Sequence, residues 1–428
     1  MVACDRRGRV WKVKIAFVTL GCKLNYAETS TYERGFAAAG LEPVPWRSKA
    51  DVYLVNTCTV TETANRKSRG EIRKLHRMNP AAPIIVTGCY AQMKPAEVSA
   101  IEGVSLVFGA SEKAQVVPRT LELLGLTQSP VTEPSSPIFG AFSSGERTRS
   151  FLKVQDGCDN FCRYCTVPHA RGRSRSIPVC EAVRYAEEIS SKGIREIVLT
   201  GVNTGDFGRS TGENFLDLLK ALNGVDGIER YRISSIEPNL ITDETVDWIA
   251  SGTKFQPHFH IPLQVGCDEL LAAMGRKYDT DFFARKIDYI RHAMEGPGKP
   301  LVFFGIDVMA GLPGETEELF LKTCSFLERI KPAFIHIFPY SRRPGTPAAT
   351  MPGQVPPEVK AERVARLEEL CRRFHSEFVA DNRGIRERVL WESRDKDGMM
   401  GGYTGNYIRQ TRPYDPSRTN TFETITIS

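Results

Sequence analysis

The sequence predicts an α/β protein in three parts. These are an N-terminal open parallel α/β domain over residues 13–125, a central partial (βα)6 barrel over 145–380, and a small β domain over 381–428, with 126–144 as a linker. Three observations carry that prediction. Short β-branched runs alternate with helical stretches through the first 125 residues, the pattern of parallel βαβ units. A Ser-, Pro- and Gly-rich stretch interrupts the pattern, which then resumes as six further βα units. After a long charged helix, Glu358–Asp381, the chain turns to short strands and Gly-rich turns. At 428 residues one ordinary core would not suffice, so several domains are expected.

In the first part, Lys14–Leu20, Asp51–Asn56 and Pro83–Thr87 read as strands, and Ala27–Ala39 and Ala64–Met78 as helices. In the second, the strands are Phe151–Gln155, Glu196–Thr200, Glu229–Ser234, Phe259–Leu263, Leu301–Val308 and Phe334–Phe338. Val179–Lys192, Asp279–Met294 and Thr316–Arg329 are helices between them. Chemistry in such sheets sits at the C-terminal strand ends.

No apolar run reaches 18 residues, so no membrane association is expected. The opening, Met1–Lys14, lacks an apolar signal core, and a cytoplasmic location is expected. A net charge of +6 permits a polyanionic partner without demanding one. The 11 cysteines of a long cytosolic chain point to metal binding or chemistry rather than to disulfides.

Six of those cysteines fall into two sets. Cys158, Cys162 and Cys165 form a CxxxCxxC just after the strand Phe151–Gln155. Thiolates hold iron–sulfur clusters, and three ligands on a four-iron cubane leave one iron open. A zinc site completed by His169 is the competing reading, although zinc more often takes paired C-x2–4-C elements. Cys22, Cys58 and Cys89 each end a strand pattern: Val-Thr-Leu-Gly-Cys, Val-Asn-Thr-Cys and Val-Thr-Gly-Cys. They recur about one βα unit apart, so adjacent parallel strands would bring them to one edge. Three unrelated buried cysteines are the alternative. The remaining cysteines keep no ligand spacing.

The CxxxCxxC followed by βα units resembles the radical S-adenosylmethionine (SAM) superfamily. More specifically, the chain resembles the methylthiotransferases. The stretches that carry the resemblance are Thr-Leu-Gly-Cys-Lys-Leu-Asn at 19–25, Asn-Thr-Cys-Thr-Val-Thr at 56–61 and Thr-Gly-Cys-Tyr-Ala-Gln at 87–92. Cys-Asp-Asn-Phe-Cys-Arg-Tyr-Cys at 158–165 and Phe-Pro-Tyr-Ser-Arg-Arg-Pro-Gly-Thr at 338–346 add to them. Ala-Arg-Gly-Arg-Ser-Arg-Ser at 170–176, Thr-Gly-Val-Asn-Thr-Gly at 200–205 and Gly-Tyr-Thr-Gly-Asn-Tyr-Ile-Arg at 402–409 fit best the type acting on N6-threonylcarbamoyladenosine at position 37 of tRNA.

The resemblance implies two [4Fe-4S] clusters, one on each cysteine set, and SAM as cosubstrate. One SAM methylates a sulfur attached to the N-terminal cluster. A second is reductively cleaved, and the radical formed abstracts hydrogen from C2 of the modified adenine. It further implies SAM contacts from Tyr164, Thr200, Asn203 and Glu237, for which simple packing or a turn cap is the alternative. It implies an OB-like tRNA-binding TRAM module at the C-terminus, short for five strands. A flavodoxin-like or ferredoxin-like electron donor and a monomeric state are also expected. Pro262-Leu263-Gln264-Val265-Gly266 departs from the family's usual Pro-x-Gln-Ser-Gly.

For tRNA, Arg171, Arg173 and Arg175 are placed to meet phosphates, and Arg342 or Arg343 to meet the threonyl carboxylate. Arg66, Lys67, Arg69, Arg73, Lys74 and Arg77 on one helix read equally as a solvated face. Sibling enzymes act on isopentenyladenosine in tRNA or on a ribosomal-protein aspartate. A zinc-stabilised nucleic-acid-binding protein and an electron-transfer flavoprotein are the readings from other classes.

Overall fold

The computed structural model describes residues 3–4, 10–126, 139–144, 148–394 and 397–428. They form two compact units. One comprises 1–145, 151–159 and 166–178, and the other 146–150, 160–165 and 179–428. Of the expected linker, residues 127–138 lie outside the described residues.

The first unit is built on a five-stranded parallel sheet. Its strands are β1 (Lys14–Thr19), β2 (Glu42–Val44), β3 (Val52–Thr57), β4 (Ile84–Gly88) and β5 (Val104–Phe108), in the order β2-β1-β3-β4-β5. Every residue of β3 and β4 is buried, as expected of central strands covered on both faces. One face packs Tyr53, Val55, Ile84 and Val86 against Ile72 and Leu75 of α2 (Glu62–Met78). The other packs Ile15, Val52, Leu54 and Ile85 against Tyr32 and Phe36 of α1 (Lys23–Ala38). The Thr61 hydroxyl caps α2 by accepting from the Ala64 amide at 3.1 Å. Strands β2 and β5 are additions to the expected three. Pro43 inside β2 confines that strand to a sheet edge.

In the second unit, β6 (Glu196–Thr200) pairs in parallel with β7 (Arg230–Ile233). Likewise β8 (His258–Gln264), β9 (Phe303–Ala310) and β10 (Phe334–Pro339) form a parallel sheet. A parallel bridge between Tyr231 and Phe255 brings β7 beside the entry to β8. These five strands match the expected positions within two residues or so, and the sixth, Phe151–Gln155, is found as Arg149–Lys153, of which residues 151–153 fall in the first unit. The long helix Pro357–Asp381 packs against β10.

After that helix, β11 (Arg386–Arg394), β12 (Met399–Tyr403), β13 (Arg409–Pro413) and β14 (Phe422–Thr426) form an antiparallel sheet in the order β13-β12-β11-β14. It has four strands among the described residues. Arg230 and Arg232 of β7 tie it to the parallel strands. Arg230 donates to the Tyr403 and Arg388 carbonyls (3.0 and 2.6 Å), and Arg232 to the Gly405 and Thr404 carbonyls (2.6 and 2.7 Å). Both arginines also meet the buried Glu196 carboxylate. No helix among the described residues is long and apolar enough to cross a membrane.

Candidate functional site

Cys22, Cys58 and Cys89 emerge at the C-terminal edge of β1, β3 and β4, which are neighbours in the sheet. Cys22 precedes α1, Cys58 directly follows β3, and Cys89 opens the short helix α3 (Cys89–Met93). The glycines that precede Cys22 and Cys89 leave no room for a side chain of their own. A Cβ on Gly21 would lie 2.8 Å from the Cys58 Cβ and 3.1 Å from its Sγ. A Cβ on Gly88, at φ +99°, would lie 2.4 Å from the Thr57 carbonyl oxygen. Asn25 binds the edge together, its Nδ2 donating to the Leu20 and Thr57 carbonyls at 2.8 and 2.9 Å. Its Oδ1 lies 3.9 Å from the Cys22 Sγ. Burial pushes the Cys58 thiol up to about 11, and the nearby Cys89 and Cys22 thiols push the same way. Burial also raises Cys89, opposed by the positive charges of Arg171 and Lys113. Three thiols gathered at one edge, beside cations that favour thiolates, fit an iron–sulfur cluster.

Those cations belong to a buried network. The Glu28 Oε1 accepts from Lys113 Nζ and Lys153 Nζ, both at 2.7 Å, and from Arg171 at 3.2 Å. Asp156 meets Arg171 at 2.9 Å and Lys153 at 2.6 Å. Burial alone would raise the Glu28 carboxyl, but Lys113, Lys153 and Arg171 overcome it and hold the group well below the usual carboxylate range. Three cations face two anions, which leaves excess positive charge next to the thiols. Arg171 also donates to Asn25 Oδ1 at 2.6 Å, linking this network to the cysteine edge.

Arg171 is therefore buried and fully engaged, and is not exposed to a phosphate in solvent. Of the three arginines expected to meet tRNA, Arg173 is the exposed one, paired with Asp159 at 3.0 Å. Arg175 is half-buried and donates to the Arg171 carbonyl at 2.7 Å. Cys158 donates its amide to the Gly172 carbonyl at 3.1 Å, and so stands beside this arginine-bearing loop. On α2, Arg66, Lys67, Arg73, Lys74 and Arg77 are exposed, while Arg69 pairs with Glu62 and Glu97.

In the second unit, the Cys165 amide donates to the Cys162 carbonyl at 2.9 Å, closing a tight turn. Phe161 ahead of it adopts φ +47°, uncommon for a bulky residue. Arg276, its side chain only 3% exposed, organises the surroundings. Its NH1 lies 3.2 Å from both the Cys162 Sγ and the Tyr164 hydroxyl. Its NH2 donates to both Glu237 carboxylate oxygens at 2.8 and 2.7 Å. The Glu237 amide in turn donates to Asn203 Oδ1 at 3.2 Å. Tyr164, Glu237 and Asn203 are thus brought together. Thr200 is buried at the end of β6, its hydroxyl donating to the Val198 carbonyl at 3.2 Å. Arg276 and Tyr278, which donates to the Pro262 carbonyl, escape sequence reasoning because Gly-Arg-Lys-Tyr carries no motif. Val265, where the family commonly has serine, is fully buried. Arg342 donates to the Ala349 carbonyl at 2.6 Å, and Arg343 is buried.

Residues 152–327 match the model of the radical SAM superfamily, and 14–109 match one described as the uncharacterized protein family UPF0004. The fold and the first of these matches define the class as radical SAM. A solved structure of the radical SAM methyltransferase TsrM from Kitasatospora setae, with cobalamin and a [4Fe-4S] cluster bound, superposes with a TM-score of 0.57 at 15% identity. It covers 79% of this chain and 77% of that one, a likeness of fold. Over most of their length two curated proteins are similar. Threonylcarbamoyladenosine tRNA methylthiotransferase MtaB of Bacillus subtilis is 40% identical over 92% of this chain and 89% of its own. A tRNA-2-methylthio-N(6)-dimethylallyladenosine synthase of Syntrophomonas wolfei is 32% identical over 90% and 87%. The chain belongs to the radical SAM methylthiotransferase family and uses iron–sulfur chemistry and SAM.

Proposed function

We propose that this enzyme methylthiolates C2 of N6-threonylcarbamoyladenosine at position 37 of tRNA. The observation that carries the reading is the 40% identity, across nearly the full chain, to a protein named for that activity, against 32% for one named for the dimethylallyl substrate. Two four-iron clusters are assigned, one to Cys22, Cys58 and Cys89 and one to Cys158, Cys162 and Cys165. When bound, the clusters and SAM supply one-electron cleavage of SAM, hydrogen abstraction from an unactivated aromatic carbon, and the methylated sulfur.

The chain's own residues hold and insulate. Asn25 and the Glu28–Lys113–Lys153–Asp156–Arg171 network fix the N-terminal thiols and offset their negative charge. Arg276 fixes Tyr164 and Glu237, which with Asn203 and Thr200 form the wall assigned to SAM. A buried arginine–carboxylate pair of this kind is rigid, which suits the alignment a short-lived radical demands. Arg173 and Arg175 are assigned to tRNA phosphates, where they add affinity without reading sequence. Electrons come from an external flavodoxin-like or ferredoxin-like donor, and the enzyme acts as a monomer in the cytoplasm.

The test is reconstitution. Anaerobic enzyme with dithionite and SAM should convert tRNA carrying the threonylcarbamoyl group to its 2-methylthio form, read by nucleoside mass spectrometry. Isopentenyladenosine tRNA turned over as fast would replace this reading by the sibling one.

A further inference from the structure

In the second unit, three adjacent strands place His260, Asp307 and His336 together. In register, His260 of β8 lies opposite Gly305 of β9, Pro262 opposite Asp307, and Asp307 opposite His336 of β10. Residues opposite one another across parallel strands point to the same face, and every second residue along a strand shares it. All three side chains therefore project from one side of this sheet. The other side carries Ile261, Ile306 and Ile335, all buried in the apolar layer. His260 and Asp307 remain partly exposed, with side-chain exposures of 21% and 17%.

The three groups are close. His260 Nε2 lies 2.7 Å from Asp307 Oδ1, and the two imidazole rings are 4.8 Å apart between centroids. One donor atom from each residue falls within 4.8 Å of those of the other two. Gly305 occupies the register position next to His260 on the same face, and a methyl group there would make an ordinary contact with His336 Nε2 at 3.6 Å. With no side chain on β9 at that level, the His260 and His336 rings meet across the strand.

The geometry points to a binding site for a divalent transition-metal ion held by His260, Asp307 and His336, with the remaining coordination positions open to water or another oxygen ligand. Two imidazoles and one carboxylate are a donor set suited to borderline first-row cations such as manganese, iron(II), cobalt or zinc. Ligands about 2.1 Å from a common ion sit roughly 3 Å from one another. The His260–Asp307 pair has about that spacing, and the His336 donor atom lies within 4.8 Å of both. The single carboxylate neutralises part of the ion's charge, and partial exposure limits the desolvation cost. The proposal is independent of the substrate reading above.

The experiment uses chelator-washed, cluster-reconstituted enzyme titrated anaerobically with MnCl2, following the six-line signal of free Mn(II) at room temperature. One ion per chain should be taken up, and electron spin-echo modulation should show imidazole nitrogen coupled to it. His260→Gln, Asp307→Asn and His336→Gln should each weaken uptake at least tenfold with iron content and circular dichroism unchanged. No uptake by the parent enzyme at millimolar Mn(II), or uptake retained in all three variants, overturns the site. Should the variants fold poorly, the parent's spin echo decides: bound manganese without nitrogen coupling also overturns it.

Discussion

At the scale of single residues, two buried charges hold more than their neighbours. Glu28 is fully buried and accepts from three cations through one oxygen. Glu28→Gln removes the charge but keeps the shape, leaving Lys113, Lys153 and Arg171 facing Asp156 alone. Breaking a buried ionic cluster in this way costs about 3–5 kcal/mol, to be read from urea unfolding at neutral pH. The Glu28 pKa is depressed in the folded state, so its stabilisation is present above the ordinary glutamate value of about 4.3 and is lost as pH falls towards the folded value. The difference between parent and variant should therefore shrink below about pH 4, and a difference that grows there would contradict the assignment. Arg276 is the second such residue. Arg276→Lys cannot span Glu237, Tyr164 and Cys162 together. SAM affinity by equilibrium dialysis should fall about tenfold, in line with the loss of one charge-assisted contact, while iron content holds. Unchanged affinity would make Arg276 a purely structural residue. Neither role was legible in the sequence. Glu28 sits inside a helix without a motif, and its partners Lys113, Lys153 and Arg171 are distant in the chain. Arg171 was legible only as part of a basic run, and folding turned it inward.

At the scale of elements, the strand ends gather the N-terminal cysteines. The triple pattern of an apolar strand ending in cysteine made β1, β3 and β4 legible, and the sheet makes those strands neighbours. Helices were found to within a few residues, because their apolar spacing is regular: Ala64–Met78 was expected and Glu62–Met78 is observed. The strand β2 was hidden by Pro43 within it and Pro45 just after it, and β5 by its partial exposure. The division between the cysteine sets predicts separate losses. Changing Cys22, Cys58 and Cys89 together to Ala should halve the iron and end methylthiolation, yet leave reductive cleavage of SAM to 5′-deoxyadenosine. The same change at Cys158, Cys162 and Cys165 should abolish the cleavage. A folded variant of the first kind that makes no 5′-deoxyadenosine contradicts the assignment.

At the scale of the whole molecule, the question is what the two cysteine sets act upon. Acidic and basic residues nearly balance in the C-terminal β domain, so net charge alone does not mark it as the RNA-binding surface. Arg173, exposed and paired with Asp159, is the better candidate for phosphate contact, together with the half-buried Arg175. Changing both to Ala should weaken tRNA binding and lower the slope of log affinity against log salt by up to about two, as two fewer counterions are released. Uncoupled SAM cleavage should persist, and an unchanged slope would remove these arginines from the interface. The substrate is decided by nucleoside mass spectrometry of matched tRNAs incubated with the reconstituted enzyme. A methylthio group should appear on threonylcarbamoyladenosine 37 and none on the same tRNA with plain adenosine. Modification of isopentenyladenosine tRNA in preference, or of neither tRNA by an enzyme that still cleaves SAM, would contradict the proposed function.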